Sequence, residues 1–318
     1  MNNILIVGTG ALATLFAARL TQAGYHIDLL GTWQEGLNAI QKNGVRLVDS
    51  NGDEQKFQVH ATDSPQECIG TKHALVLVKA WQTERAARQL AECLADDGLA
   101  VTLQNGLGNY ETLIQSLGLK RVALGSTTTG ATLLGPGLVR AGGEGTISIG
   151  RKRALGGLSE STLAPGASAG EDPMEAALKS AKFNVKIVED AQSLVWGKLV
   201  VNAAINPLTA LLKIPNGELL ERPSAREMMG TLANEAASVA HAENIDLPFD
   251  DPVAAVEEVA RKTAANHSSM LQDVLRGAPT EIDAICGAIV SAAKKHKVGA
   301  PANGVCWQLV RALVHKGG

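Results

Sequence analysis

The sequence has few aromatic residues and only four cysteines. The first shortage restricts which residues can build the cores, and the second restricts which disulfides and metal sites the protein can have. Phenylalanine, tryptophan and tyrosine make up 3% of the 318 residues, so the cores must be built from alanine, leucine, valine and isoleucine. The four cysteines, Cys68, Cys93, Cys286 and Cys306, are scattered and form no CxxC pair. That spacing predicts no disulfide framework and no metal site, and the histidines show no metal-binding spacing either.

A strong charge of one sign and long hydrophobic runs are also missing. The net charge is −3 and no basic run occurs, which argues against a nucleic-acid partner or a membrane surface. The chain starts with the strand-like run Ile4–Val7, without the basic start and cleavage site of a signal peptide. No uninterrupted apolar stretch reaches about 18 residues, so no membrane span is predicted. We expect a cytoplasmic protein, either a monomer or a homodimer.

Two kinds of segment divide the chain, whose length suits two domains. In the first part, apolar strands such as Ile4–Val7 and Ala74–Val78 alternate with helical patterns such as Ala11–Ala23. This alternation predicts a parallel sheet covered by helices on both faces. Beyond residue 190, strand signals stop and apolar residues recur with a helical period. We therefore predict an α/β protein: an N-terminal Rossmann-type domain, residues 1–189, and a C-terminal all-helical domain, residues 190–318.

Three further segments of the first part interrupt this alternation. Val45–Val48 and Phe57–Val59 flank a turn-prone stretch and predict a hairpin. Leu138–Arg140 and Thr146–Ile149 are interpreted as antiparallel strands. Residues 154–172 are rich in glycine, alanine and serine, which predicts an exposed loop without identifiable chemistry.

A glycine-rich pattern follows the first strand and opens the first helix. It consists of Gly8, Thr9, Gly10, Ala11, Leu12 and Ala13. The first glycine permits a tight turn, the second lets the backbone approach a pyrophosphate, and the helix N-terminus supplies free N–H groups. We predict that it binds a dinucleotide; the alternative is a tight turn without a ligand.

The end of the second strand satisfies neither rule for the choice of nicotinamide. An NAD site has an acid there, and an NADP site has an arginine nearby. This sequence has Leu30–Trp33, with Thr32 at its centre, and Asp28 falls too early in the strand to reach a ribose. The pattern therefore leaves NADP(H) and NAD(H) both open.

Two polar residues end buried strands of the predicted sheet. Lys79 follows Ala74–Val78, and Asn105 follows Leu99–Leu103 and is flanked by glycine. Because ligands bind outside the carboxyl ends of such strands, both are candidate binding residues. The alternatives are a solvent-facing lysine at a helix start and a plain turn.

Polar residues recur every four positions in an otherwise apolar helix: Lys198, Asn202 and Asn206. They share one helical face, and burying them without partners is costly, so a small polar substrate would satisfy them. Pro207 should kink or end the helix near Asn206. A lysine suits ketone reduction, because it can stabilise and protonate the developing alkoxide. The alternative is a polar network without catalysis.

Two later segments have the pattern of helix starts. Asn266–Asp273 offers serine or asparagine as a cap, or amides that hold a substrate carboxylate. Thr280–Asp283 resembles a cap with acids in the first turn, and a functional role of Glu281 stays open on this pattern alone.

Taken together, these motifs resemble the ketopantoate reductase (2-dehydropantoate 2-reductase) family over nearly the whole chain. The matching segments are Gly8–Ala13, Lys79–Gln82, Gln104–Gly106, Lys198–Ala210, Pro215–Glu218, Ser268–Asp273 and Thr280–Asp283. The resemblance implies NADPH-dependent reduction of 2-dehydropantoate to (R)-pantoate, a step toward pantothenate and coenzyme A. It makes Lys198 the proton donor to the keto oxygen and Glu281 a catalytic residue that helps to place Lys198.

The resemblance also implies binding roles. The substrate's carboxylate and hydroxyls would be held by Asn202, Asn206, Asn216 and Ser269, with Asn266 close by, and the substrate would also contact Lys198 and Asn105. Beside the glycine-rich turn, the cofactor would contact Thr32, Lys79, Asn105, Ala131 and Glu281. Thr32 stands where many family members carry the arginine that holds the 2′-phosphate. A reductase of another 2-oxo acid is the alternative; a non-catalytic NADP-binding sensor is disfavoured, because it should have lost Lys198.

Overall fold

The structure is a computed structural model that describes residues 3–49, 51–150 and 172–314. The chain divides into two compact units. The first unit comprises Met1–Val78, Gln82–Gln104 and Asn109–Ala191, and the second comprises Lys79–Trp81, Asn105–Gly108 and Gln192–Gly318. The loop predicted at 154–172 lies outside the described residues except for Asp172, whose carboxylate caps a helix.

Strands and helices alternate in the first unit. Its described strands are β1 (Asn3–Val7), β2 (His26–Leu30), β3 (Val45–Val48), β4 (Glu54–Phe57), β5 (His60–Thr62), β6 (Thr71–Val76), β7 (Leu94–Thr102), β8 (Val122–Thr127), β9 (Ala131–Gly135), β10 (Leu138–Ala141), β11 (Thr146–Gly150) and β12 (Asn184–Val188). Its helices are α1 (Ala11–Gln22), α2 (Gln34–Asn43), α3 (Thr83–Cys93), α4 (Asn109–Leu117) and α5 (Pro173–Ser180).

The main sheet has the strand order β12-β11-β8-β7-β6-β1-β2-β5. From β5 to β8 all neighbouring strands are parallel; β11 then runs antiparallel to β8. Separate apolar clusters lie on its two faces, one around Phe16 and one around Leu90, which explains the uninterrupted apolar runs Ile4–Val7 of β1 and Ala74–Val76 of β6. The predicted α/β fold class is confirmed. Along the chain, β2 is added on one side of β1 and β6 on the other, so the direction in which strands are added reverses at β1. Sheets of this kind bind ligands at that point, beyond the carboxyl ends of the strands.

A second sheet has the order β4-β3-β10-β9 and corrects the bounds of one predicted strand. The predicted hairpin is present, but its second strand is Glu54–Phe57 rather than Phe57–Val59. The strands β10 and β11 are both in antiparallel pairs, but not with each other: β10 pairs with β9, and β11 pairs with β8. The turn Pro136–Gly137 explains the first pairing, because it joins β9 directly to β10, with Gly137 at a φ of 65°.

The second unit is helical over its described residues. Its helices are α6 (Ala191–Leu212, whose first residue belongs to the first unit), α7 (Glu218–Glu221), α8 (Pro223–Ala242), α9 (Pro252–Lys262), α10 (Ser269–Leu275), α11 (Ala288–His296) and α12 (Pro301–Val314). A π-helical turn, Asp283–Gly287, precedes α11. One apolar cluster built from α6, α8, α11 and neighbouring segments forms the core.

The central helix α6 departs from two expectations. Of the two effects predicted for Pro207, an end of the helix near Asn206 is wrong, since α6 continues through Pro207 to Leu212. Burial of residues such as Ala203 and Ala204 outweighs the cost of the proline, about 3 kcal/mol. In addition, α6 is long and apolar enough to meet a simple criterion for membrane-spanning helices, although Lys198 interrupts its apolar run. Because 67% of its most apolar window is buried inside the protein, this is weak evidence for a membrane span.

Candidate active site

The glycine-rich turn of the first unit has the geometry that its glycines predict. Gly8 has a φ of 134°, and a Cβ atom there would lie 3.1 Å from the carbonyl carbon of Leu77. Gly10 is the N-cap of α1, which no side chain caps, and a Cβ atom on Gly10 would meet nothing within 4 Å. The backbone therefore leaves open space in front of the helix N-terminus. An anion such as a pyrophosphate fits that space and the amides that line it.

The end of β2 lies beside this turn. A Cβ atom on Gly31 would come within 2.8 Å of the Thr9 side chain, so the two loops are in close contact. Thr32 is exposed there, and Nη1 of Arg85 on α3 donates a hydrogen bond to its hydroxyl. Asp28 is buried in mid-strand and accepts hydrogen bonds from Asn3, at 2.8 Å, and from the ring of His60, at 3.0 Å. No prediction from the sequence included Arg85.

A network of charged side chains lies in the second unit. The Nζ atom of Lys79 is 2.6 Å from Oδ2 of Asp273 and 3.5 Å from Oε2 of Glu281. Glu281 also accepts hydrogen bonds from the backbone N–H of Ala80, at 3.2 Å, and from Nδ2 of Asn105, at 3.0 Å. Arg276 pairs with the other oxygen of Asp273 at 2.8 Å. Both carboxylates are buried, with 6% exposure for Glu281 and 2% for Asp273.

This network determines the charge of Lys79. Burial acts to lower the pKa of Lys79, but the carboxylates of Glu281 and Asp273 outweigh it and raise the pKa above its ordinary value. Lys79 is therefore a fixed cation that compensates buried negative charge. Asp273 belongs to this network although the sequence patterns did not single it out; it ends the segment Ser268–Asp273.

Lys198 has the opposite character. Burial on the apolar helix α6 lowers its pKa to about 8, and the charge of Glu281 opposes that shift. A lysine with this pKa gives up its proton far more readily near neutral pH than an ordinary lysine does. Asn202 and Asn206 follow Lys198 at intervals of four residues on α6, and Asn206 is buried. They lie on one helical face, as their spacing predicts.

The segment around Asn216 is tied to the start of α10. The Asn216 backbone N–H donates to the carbonyl of Asn266 at 3.0 Å, and its Nδ2 donates to Thr263 at 2.9 Å. Its Oδ1 is buried and has no hydrogen-bond partner among the residues that the structure describes. An oxygen of this kind is a candidate acceptor for a ligand hydroxyl, because leaving it unsatisfied is costly.

The two serines that begin α10 have different environments. Ser268 is the N-cap: its hydroxyl accepts from the N–H of Leu271 at 3.1 Å and from the hydroxyl of Thr209 at 2.7 Å. Ser269 is the first helical residue and is exposed, as is Asn266. Capping is therefore the role of Ser268, and the hydroxyl of Ser269 lies at the surface of the second unit.

The predicted cap at Thr280 is wrong. Its hydroxyl is buried without a hydrogen-bond partner in the described chain, and the π-helical turn Asp283–Gly287 follows instead of an ordinary first helical turn. Glu281 accepts from the side chain of Asn105 and the N–H of Ala80, which lie far away in the sequence. Patterns within four residues could not show these distant partners.

The structure thus brings some of the predicted residues into contact and leaves others separate. Lys79 forms an ion pair with Glu281, and Asn105 donates a hydrogen bond to it. Lys198 interacts electrostatically with the same carboxylate. Ala131 begins β9 and pairs with a residue of β10. Among residues 3–49, 51–150 and 172–314, no group of three His, Cys, Asp or Glu side chains could hold a metal ion, and the four cysteines are free and buried.

Comparisons with known proteins show which family the whole chain is similar to. The family model described as "Ketopantoate reductase PanE/ApbA" matches residues 4–154, and the one described as "Ketopantoate reductase PanE/ApbA C terminal" matches residues 190–314. The 2-dehydropantoate 2-reductase of Archaeoglobus fulgidus is 35% identical over 314 residues, which cover 98% of each chain. That of Halobacterium salinarum is 32% identical over 315 residues, 99% of each chain.

Solved structures are similar over the same length. The ternary structure of D-mandelate dehydrogenase with NADH and anilino(oxo)acetate has a TM-score of 0.88 and 26% identity, and covers 98% of each chain. The PanE/ApbA family ketopantoate reductase from Ralstonia eutropha has a TM-score of 0.85 and 29% identity, and also covers 98% of each chain.

Proposed function

Because this chain belongs to the ketopantoate reductase family and is an oxidoreductase of that kind, we propose that it catalyses the NADPH-dependent reduction of 2-dehydropantoate to (R)-pantoate. The observation that carries the proposal is Lys198, an amine on an apolar helix whose pKa is lowered to about 8 beside the buried carboxylate of Glu281. The free, buried cysteines suit the reducing cytoplasm, where we expect the enzyme to supply pantothenate and coenzyme A synthesis.

The first unit offers the groups that a nicotinamide dinucleotide requires. The glycine-rich turn would hold the pyrophosphate, and Thr32 would approach the adenosine ribose. Ala131 is a further proposed cofactor contact in the first unit, and Lys79, Asn105 and Glu281 of the second unit are proposed contacts as well. When bound, the cofactor supplies the hydride that the keto carbon receives.

We assign the proton transfer to Lys198. As the keto carbon is reduced, negative charge develops on the keto oxygen, and the Lys198 ammonium stabilises it and then donates a proton to it. A pKa of about 8 leaves most of Lys198 protonated at neutral pH while keeping it a ready acid. Glu281 keeps an anion near Lys198, and Lys79 in turn offsets the charge of Glu281 at 3.5 Å. Glu281 would therefore position Lys198 and tune its acidity.

The proposed substrate site uses amide and hydroxyl groups. Its members are Asn105, Asn202, Asn206, Asn216, Asn266 and Ser269. The amides supply both donors and acceptors, which suits a ligand with a carboxylate and hydroxyls. The unsatisfied Oδ1 of Asn216 supports the assignment of an acceptor for a substrate hydroxyl.

A second candidate function is the reduction of another 2-oxo acid. It is favoured by the similarity to D-mandelate dehydrogenase, whose structure contains NADH, and by the uncharged Thr32 at the end of β2. A non-catalytic NADP-binding sensor is disfavoured, because it would have no need of a half-buried lysine that interacts electrostatically with Glu281.

The test measures absorbance at the nicotinamide wavelength with purified protein, supplying 2-dehydropantoate or phenylglyoxylate with NADPH or NADH in parallel. We expect rapid oxidation of NADPH with 2-dehydropantoate. Turnover confined to phenylglyoxylate would favour the second candidate, and a preference for NADH would keep the reductase but change its cofactor. No turnover in any combination would contradict both enzymatic proposals.

A further inference from the structure

The positive charge that is missing from the end of β2 is supplied by a different part of the first unit. Thr32 carries no charge, but the guanidinium of Arg85 lies against it and donates to its hydroxyl. The two residues are 53 positions apart in the sequence, and the fold places them together because α3 follows β6, the neighbour of β1 in the sheet. Gly31, directly before Thr32, contacts Thr9 of the glycine-rich turn. Arg85 is thus connected to that turn through a short series of contacts.

The surroundings of Arg85 lack the groups that usually hold an arginine. It is half-buried, its Nε is buried without a hydrogen-bond partner among the described residues, and no described carboxylate forms an ion pair with it. Burial lowers the pKa of this guanidinium, and no neighbouring charge opposes the shift. By contrast, Arg121 donates to two backbone carbonyls at 2.8 Å each, and Arg19 lies 5.0 Å over the ring of Phe183. Those two arginines have structural partners; Arg85 has a hydroxyl at an exposed strand end.

We propose that Arg85 and Thr32 form the subsite for the 2′-phosphate of NADP(H), with Arg85 as the residue that selects NADP(H) over NAD(H). This inference rests on the proposed function, in that the first unit must bind a nicotinamide dinucleotide. In this subsite, Arg85 on α3 takes the place of the arginine that other NADP-binding sites have near the end of the second strand.

The chemistry of the pair suits a phosphate. A guanidinium presents a planar set of N–H donors that matches phosphate oxygens, and it stays charged at every physiological pH. The Thr32 hydroxyl accepts one N–H from Arg85, which leaves its own O–H free to donate to a second phosphate oxygen. The same contact holds the guanidinium in place before the ligand arrives, so less side-chain entropy is lost on binding. An anion would also offset the uncompensated, half-buried charge.

The experiment measures the dissociation constants of NADPH and NADH by calorimetry for the unmodified protein, Arg85→Ala, Arg85→Lys and Thr32→Ala. Arg88→Ala is the matched control, because Arg88 lies on the same helix but is exposed. We expect Arg85→Ala to weaken NADPH binding about tenfold or more, which corresponds to loss of a charge-assisted hydrogen bond. NADH binding should change by no more than about twofold, since NADH has no 2′-phosphate. Arg85→Lys should fall between, and Thr32→Ala should weaken NADPH binding less.

Several outcomes would overturn the proposal. Equal weakening of NADPH and NADH by Arg85→Ala would make Arg85 a general structural residue, and unchanged NADPH binding would remove it from the site. Should Arg85→Ala fail to fold by circular dichroism, the Arg85→Lys and Thr32→Ala variants decide in the same way. An unmodified protein that binds NADH at least as tightly as NADPH contradicts the phosphate subsite alone. An unmodified protein that binds neither nucleotide contradicts the proposed function as well.

Discussion

The two units of the molecule handle polar groups by different means. In the first unit, the candidate site at the glycine-rich turn consists mainly of backbone, where Gly8 and Gly10 remove side chains from in front of the N-terminus of α1. In the second unit, the candidate site consists of charged side chains buried among apolar helices, with Glu281 and Asp273 almost inaccessible. Backbone amides keep their dipoles at any pH, whereas buried charges are sensitive to their neighbours. Substitutions should therefore affect geometry in the first unit and protonation in the second.

The largest effect is expected from Lys198→Ala. Loss of a general acid reduces turnover by roughly 10²- to 10⁴-fold, because the alkoxide must then be stabilised and protonated by water. The affinity for NADPH should change little, since Lys198 is not among the proposed cofactor contacts. Steady-state kinetics and calorimetry measure the two quantities, and Lys294→Ala on the exposed surface of α11 is the matched control. Unchanged turnover would remove Lys198 from its proposed role.

The second prediction concerns Glu281→Gln and the pH profile of turnover. Reduction requires protonated Lys198, so kcat should fall as the pH rises through about 8. The charge of Glu281 raises the pKa of Lys198, so removing that charge should move the alkaline limb to lower pH. At neutral pH we expect a loss of kcat of about tenfold or more, because less Lys198 is protonated and its placement is looser.

A matched control for this prediction is available at a surface carboxylate. Glu258→Gln lies in the same unit, on α9, and its exposed ion pairs involve Arg261 and Lys262. It should leave the alkaline limb in place. If Glu281→Gln lowers kcat without moving the limb, Glu281 acts only through geometry and the electrostatic role is wrong.

The two units also differ in how far their sites could be predicted from the sequence. The glycine-rich turn could be predicted because the residues that form it all lie between Gly8 and Ala13. The fold class could be predicted from the alternation of strands and helices. The spacing of Lys198, Asn202 and Asn206 likewise predicted one helical face. Contacts between distant parts of the sequence could not be predicted from these patterns. Lys79 and Asp273 are 194 positions apart, and Arg85 and Thr32 are 53 positions apart. Helical and strand periods describe neighbours within a few residues, whereas such contacts depend on packing.

Third in size is a pair of glycine substitutions that separates folding from binding in the first unit. Gly8→Ala should lower the free energy of unfolding by about 1–3 kcal/mol, because alanine is strained at a φ of 134° and its Cβ would crowd Leu77. Gly10→Ala should leave stability nearly unchanged, since its Cβ meets nothing within 4 Å, yet it should weaken NADPH binding by occupying the open space. Chemical denaturation and calorimetry check the pair. Equal loss of stability in both variants would contradict the view that Gly10 is there for a ligand.

The smallest effect is expected at the start of α10, where the same residue type has two roles in the second unit. Ser268→Ala removes the N-cap side chain of α10, which accepts hydrogen bonds from the N–H of Leu271 and from the hydroxyl of Thr209. The free energy of unfolding should fall by about 1 kcal/mol. Ser269→Ala removes an exposed hydroxyl and should leave stability unchanged while raising KM for the keto acid. Thermal denaturation and steady-state kinetics separate the two effects. If Ser269→Ala leaves KM unchanged, Ser269 does not belong to the substrate site, and capping by Ser268 is the only role left for this pair of serines.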